Sequence, residues 1–383
     1  MIKLKSLFHK NIVFYIIPII AAIFNFLIIL FPKEMVEASK EGLILWFNNA
    51  LPSLLPFIIG TNILISLGLV SFAGTILSYP MEKLFNVSGN GAFAWILGMT
   101  SGYPIGAKIT SDLLLSGDIT PVEAQRLTAF TNNSGPLFIL GFVGVSLIGS
   151  TKAGVYILVC HYISSFILGL LFSMYKKNSV RKTQIKQKKL LKTAFTNMRN
   201  HQIKDGRSIG AILSDSIKSS METILSIGGF IILFSVINKA IYIIGIKSPM
   251  LTGFLEITNG CKSVFSGEIT VNKLILITGI ISWGGLSIHA QAAGFLSKAN
   301  IKISLYILSK ILHCIISMII ALLFSPIGKM TIETNNVGAF GYALNSSSPK
   351  ISVSFCLFIF SIAIILIFCI ISAINSGLKK RGY

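Results

Sequence analysis

Four short stretches carry most of the chemistry available to this 383-residue chain. In LTAFTNNSGPLFILG (127–141), Asn132, Asn133 and Ser134 stand before Gly135-Pro136, between two apolar halves. In GMTSGYPIGAK (98–108), Ser101, Gly102 and Tyr103 precede a proline and Lys108 follows. In FLEITNG (254–260), Glu256 sits between Leu255 and Ile257, beside Thr258 and Asn259. In SWGGLSIHAQ (282–291), Ser287, His289 and Gln291 follow a glycine pair. Amides, hydroxyls, an imidazole and isolated charges can hold a polar solute by hydrogen bonds or pass a proton. The sequence has no HExxH, no GxSxG, no paired aspartates at helical spacing and no Cys/His cluster, so it offers no hydrolase or metalloenzyme pattern. Its five cysteines, 160, 261, 314, 356 and 369, are odd in number and form no CxxC, which argues for neither disulfide nor metal. The expectation is a protein that is not an enzyme and needs no cofactor or metal.

Each residue also has a structural role open to it. Asn132, Asn133 and Ser134 could cap a helix or join two helices, and glycine-rich breaks could serve close packing. Lys108 could extend to a lipid headgroup. A lone helical histidine such as His289 is often a hydrogen-bonded packing residue. His161 and His313 fall within long apolar helices and are read as structural, and Pro52 and Pro56 as helix kinks. Glu256 favours function, because an ionisable group among apolar neighbours at membrane depth is expensive.

What must position these residues follows from composition. Hydrophobic residues make up 53% of the chain and charged residues 12%, and the mean hydropathy is +0.79, far from a soluble domain. Runs long enough for a roughly 30 Å hydrocarbon core occur at 12–31, 43–70, 153–175, 222–246, 303–325 and 351–375. No strand-like alternation is visible, and backbone in lipid must satisfy its own hydrogen bonds, so the fold class is an all-α polytopic membrane protein. The first run follows MIKLKSLFHK and ends at Phe31-Pro32 without a small-residue cleavage pattern, so it reads as a retained anchor helix. Eleven Lys/Arg against one acid between Lys176 and Arg207 supply half of the net charge of +20. Beside a membrane helix this points to cytoplasmic placement and anionic lipid contact, with no nucleic acid as partner.

Two strings recur at one offset of 150 residues: SGDIT (116–120) with SGEIT (266–270), and YIL (156–158) with YIL (306–308). Thr128, Gly135 and Gly144 match Thr278, Gly285 and Gly294 at the same offset. With both basic termini and the basic loop placed in the cytoplasm, equivalent helices of the two halves run in opposite directions. That is an inverted-topology repeat with broken or re-entrant helices, a construction common in secondary transporters. The expected division is an anchor helix over 1–40, a first repeat over 41–175, a basic cytoplasmic loop over 176–215, a second repeat over 216–325, and a loop with a final helix over 326–383.

The four polar stretches interrupt segments too broken to cross as single helices, two in each half. Irregular backbone at membrane depth is tolerated where protein or a watery cavity surrounds it, and paired breaks point to a transporter's substrate site. A half-helix starting at Pro136, capped by Asn133 or Ser134, would favour an anion at its N-terminus. The residues read as substrate-binding are therefore Ser101, Gly102, Tyr103, Lys108, Asn132, Asn133, Ser134, Glu256, Thr258, Asn259, Ser287, His289 and Gln291.

GMTSGYPIGAKITSDLLLSGDIT, TNNSGPLFILGFVGVSLIGS and SWGGLSIHAQAAGFLS followed by ILSKILH resemble the sporulation integral membrane proteins of the YlbJ, or stage V sporulation protein V, type. The resemblance covers about residues 40–325 and excludes the basic loop. It implies nucleoside-recognition Gate domains, a distant similarity to concentrative nucleoside transporters, and export of dipicolinic acid across the outer forespore membrane during sporulation. Residues alone reach only an anion or small polar solute, with a nucleoside as the alternative. A homo-oligomer or other spore-membrane proteins are the partners left open.

Overall fold

The computed structural model describes residues 18–176, 190–265 and 269–328, and no strand occurs among them. α1 (Pro18–Leu30) and α2 (Pro32–Leu45) meet at 105°, because Pro32 has no N–H to continue the ladder of α1. A π turn, Trp46–Ala50, carries α2 into α3 (Leu51–Ser66), which has Pro56 inside it. Left-handed Gly68 then turns the chain by 81° into α4 (Leu69–Pro80). α5 (Gly91–Ser101) and α6 (Ile105–Leu115) form a short hairpin, followed by α7 (Pro121–Thr131), a π-wound segment Leu137–Leu147 and the long α8 (Thr151–Phe172). After α9 (Leu190–Asp205) and α10 (Ile209–Ile243), a second hairpin of α11 (Pro249–Leu255) and α12 (Ile257–Phe265) leads to α13 (Val271–Trp283), α14 (Gly285–Lys298) and α15 (Ile303–Leu323).

The protein is an all-α polytopic membrane protein. Among the described residues four helical stretches are long and apolar enough to cross a membrane, or six if each bent pair is one span. The expected spans at 153–175, 222–246 and 303–325 correspond to α8, α10 and α15. α10 has 35 residues, starts well before the expected run and reaches about 52 Å at 1.5 Å per residue, more than a hydrocarbon core. The final run at 351–375 and both basic termini lie outside the described residues.

An expectation for the second half changes. The stretch 281–295, expected to be too broken to cross, belongs to a single candidate span, Val271–Lys298. It contains no proline, and two left-handed glycines, Gly284 at φ 88° and Gly285 at φ 82°, absorb the step so that helix resumes at once.

The 150-residue offset recurs in the helices themselves. α7 begins at residue 121 and α13 at 271, and the threonine before each is its N-cap. Thr120 Oγ1 accepts from Glu123 N and Thr270 Oγ1 from Lys273 N, each at 3.3 Å. These threonines are the last residues of SGDIT and SGEIT, so those strings recur where equivalent helices start. The halves also touch each other in equivalent pairs, in addition to the packing within each half: α7 meets α15 and α13 meets α8, while α6 meets α14 and α12 meets the π-wound segment. One core gathers α4 to α7 with Ala292, Leu296 and Tyr306, a second gathers the π-wound segment and α8 with α12 and α13, and a small third joins α2 to α10. The first-half breaks lie between the two larger cores, with Ile105 and Phe130 in one and Tyr103 and Ile139 in the other.

Candidate functional site

The first break is shaped by backbone contact. α5 ends at Ser101, Gly102 takes φ 86°, Tyr103-Pro104 is a cis peptide, and α6 starts at Ile105. A Cβ on Gly98 or Gly106 would come within 1.9 or 2.1 Å of Thr131 O, so these glycines let the hairpin clasp the end of α7. A Cβ on Gly102 would come 2.5 Å from Gly135 N, so the two first-half breaks touch through bare backbone. The second half repeats this: a Cβ on Gly285 would meet Leu255 O at 3.0 Å and Glu256 Cα at 3.1 Å.

Asn132, Asn133 and Ser134 are buried. Contrary to the sequence reading, neither Asn133 nor Ser134 caps the segment that follows: it is π-wound, its N-cap is Pro136, and no side chain bonds its first N–H groups. Asn133 turns back instead, with Nδ2 donating to Phe130 O at 2.7 Å and Ser165 Oγ at 2.9 Å, which satisfies a free carbonyl at the end of α7.

The break also reaches across to the second repeat. Asn132 Nδ2 donates to Tyr306 Oη at 2.8 Å, and Tyr306 Oη lies 3.2 Å from His289 Nδ1. Lys310 Nζ donates to the backbone carbonyl of Asn132, with the rings of Tyr103 and Tyr306 centred 5.5 and 5.9 Å away. Tyr103 Oη donates to Ile281 O at 3.2 Å. His161 Nε2 accepts from Ser134 N at 3.1 Å while its Nδ1 meets Ser282 Oγ at 2.8 Å. His313 Nε2 donates to His161 O at 3.1 Å, and the two imidazole centroids are 4.7 Å apart. The tips of the broken segments thus meet at one buried place.

Other sequence candidates are tied elsewhere. Lys108 Nζ bonds Asp112 Oδ2 at 2.8 Å along α6, so its charge is matched within its own helix. Glu256 is buried, and its carboxylate accepts from Thr258 N at 2.9 Å and Asn259 N at 2.7 Å, which makes it the cap of α12. Trp283 stacks on Phe254 and presents an edge contact to His289 at 4.2 Å. Ser287 and Gln291 are buried one turn apart on α14. Ser101 Oγ, Asn132 Oδ1, Asn133 Oδ1, His289 Nε2, Gln291 Oε1 and His313 Nδ1 are buried without a protein hydrogen-bond partner. No group of three metal-ligating side chains occurs among the described residues.

Sequence reasoning missed Lys310, Tyr306 and Ser282 and set His161 and His313 aside. Lys310 carried a usable signal: it is a lone cation inside the apolar run of α15. In the fold it is fully buried, and none of the ion pairs among the described residues includes it. A buried lysine held by one carbonyl and two ring faces, with no carboxylate paired to it among the described residues, keeps donor capacity free in the interior.

The fold and site define a class: a polytopic helical membrane protein whose two similar halves meet at a buried, polar, acid-poor crossing of broken segments. The chain is 34% identical over 340 residues, 81% of its length and 83% of the relative's, to the sporulation integral membrane protein YlbJ of Bacillus subtilis (strain 168). It belongs to this family of sporulation integral membrane proteins. No family model and no solved structure matches it.

Proposed function

We propose that the protein is a transporter of a small organic anion, dipicolinic acid carried across the outer forespore membrane during sporulation, with both termini cytoplasmic. The observation that carries this reading is Lys310, a buried basic group between Tyr103 and Tyr306 with no acidic partner among the described residues. A flat aromatic dicarboxylate offers the charge that Lys310 lacks and a face for the tyrosine rings. Paired breaks at the crossing of two repeats suit alternating access, in which each half moves about a shared site. The resemblance to a nucleoside-recognition fold does not fix the solute, since function belongs to the site. Lipids are the surrounding partner, and the basic residues of 176–207 would meet anionic headgroups.

A second reading, a neutral polar solute such as a nucleoside, is favoured by the buried amide oxygens of Asn132, Asn133 and Gln291 that lack protein partners. Uptake of dipicolinate into proteoliposomes, competed by unlabelled dipicolinate but not by uridine or adenosine, would select the first reading. Competition by the nucleosides alone would select the second.

A further inference from the structure

His161 lies between the two repeats. It sits on α8 of the first half, and its imidazole has a partner at each nitrogen. The backbone N–H of Ser134 points at Nε2, which must therefore be the unprotonated nitrogen. The ring proton is then on Nδ1, donating to Ser282 Oγ at the end of α13 in the second half. Ser134 lies in the break TNNSGP, and Ser282 at the glycine step SWGGL within the span Val271–Lys298; NNSGP and SWGGL are 150 residues apart in register. His161, Ser282 and His313 show no exposed surface and Ser134 almost none, and the ring packs against His313, with Lys310 the nearby cation. Both nitrogens being used by protein, His161 has none left for a solute.

We propose that His161 is a positioning residue that latches the broken segment of the first repeat to the glycine step of the second, through the chain Ser134 N–H, imidazole, Ser282 hydroxyl. The Ser134 bond lies within one repeat and travels with it. The Ser282 bond crosses between repeats, so it holds the arrangement described here and is released when the halves move. This rests on the transport reading for its role in flux, though the latch itself is a property of the fold.

Two measurements on full-length protein test it. In detergent, Ser282→Ala removes the acceptor and loosens the imidazole, so amide exchange should quicken by about tenfold both at 282–286 and at 132–136, 150 residues away in the chain. Ser282→Thr keeps the hydroxyl and should restore protection of 132–136. In proteoliposomes, Ser282→Ala should raise the maximal dipicolinate rate by roughly threefold with half-saturation held within about twofold, because the bond restrains movement and touches no solute. In a His161→Gln background, the added Ser282→Ala should change neither quantity further. Exchange that quickens only around 282, or that Ser282→Thr fails to correct, overturns the latch whether or not the protein carries dipicolinate. Wild-type protein that carries none, with both segments coupled in exchange, overturns the transport reading and leaves the latch standing.

Discussion

Two basic side chains among the described residues are completely buried, and they are held in opposite ways. Arg126, in α7, donates from Nε to Tyr175 O at 2.9 Å, from Nη2 to Tyr175 O at 2.6 Å and Lys176 O at 2.8 Å, and from Nη1 to Asn86 O. Glu123, one turn earlier, binds Ser88 N at 2.6 Å and Thr120 N at 2.7 Å and adds a neighbouring negative charge. Every guanidinium nitrogen is used, and the group sews the end of α8 to α7. Lys310 donates to one carbonyl and otherwise faces aromatic rings, with its donor capacity largely free. Burial of a charge therefore does not separate framework from site. What separates them is how many hydrogen bonds and opposite charges the protein itself supplies.

That contrast can be broken by substitution. The largest effect falls on the framework: Arg126→Met removes the donors to three part-buried backbone carbonyls, a loss of about 3 kcal/mol at roughly 1 kcal/mol for each hydrogen-bonded acceptor. Thermal unfolding in detergent should reveal it as a collapse in yield and midpoint, and a variant as stable as wild type would show that Arg126 is not a clamp.

A second change sharpens the site. Asn132→Asp would place a carboxylate beside Lys310 and so supply the missing counter-charge. Anion uptake should fall by about 10- to 100-fold, the range for one charge-assisted contact of 1.5–3 kcal/mol, while folding is retained. Undiminished uptake would mean that Lys310 does not hold the solute.

The smallest change is at Lys108. Its pairing with Asp112 is an i,i+4 contact whose acid is partly exposed, the kind worth about 0.3–0.5 kcal/mol. Lys108→Ala should alter dipicolinate uptake by less than about threefold, and a loss equal to that of Asn132→Asp would move the anion seat to α6.

Much of the framework is legible in the sequence because it depends on local rules. Hydropathy marks α8, α10 and α15, and the threonine caps of α7 and α13 are printed in the repeated SGDIT and SGEIT strings. The polar interruptions mark where the breaks fall, and NNSGP does lie at the crossing. Partnership is what the sequence hides. Glu256 reads as an expensive ion, yet two N–H groups just after it make it a cap. Lys108 reads as the cation of the site, yet Asp112 lies one turn on. His161 reads as a packing residue, because only the contact of α8 with α13 brings Ser282 to it from 121 positions away. Lys310 is a single letter in an apolar helix, and its lack of an acid becomes visible only when α7 and α15 are packed together.

Dipicolinate uptake by Lys310→Gln, reconstituted beside the wild type at matched orientation and density, tests the account most directly. The protein should fold and insert normally, since a neutral amide replaces a buried basic group that has no acidic partner among the described residues. Uptake should fall by at least about tenfold, the value of one charge-assisted contact. Lys310→Gln that carries dipicolinate at the wild-type rate and half-saturation would contradict an anion seat at the crossing of the two repeats.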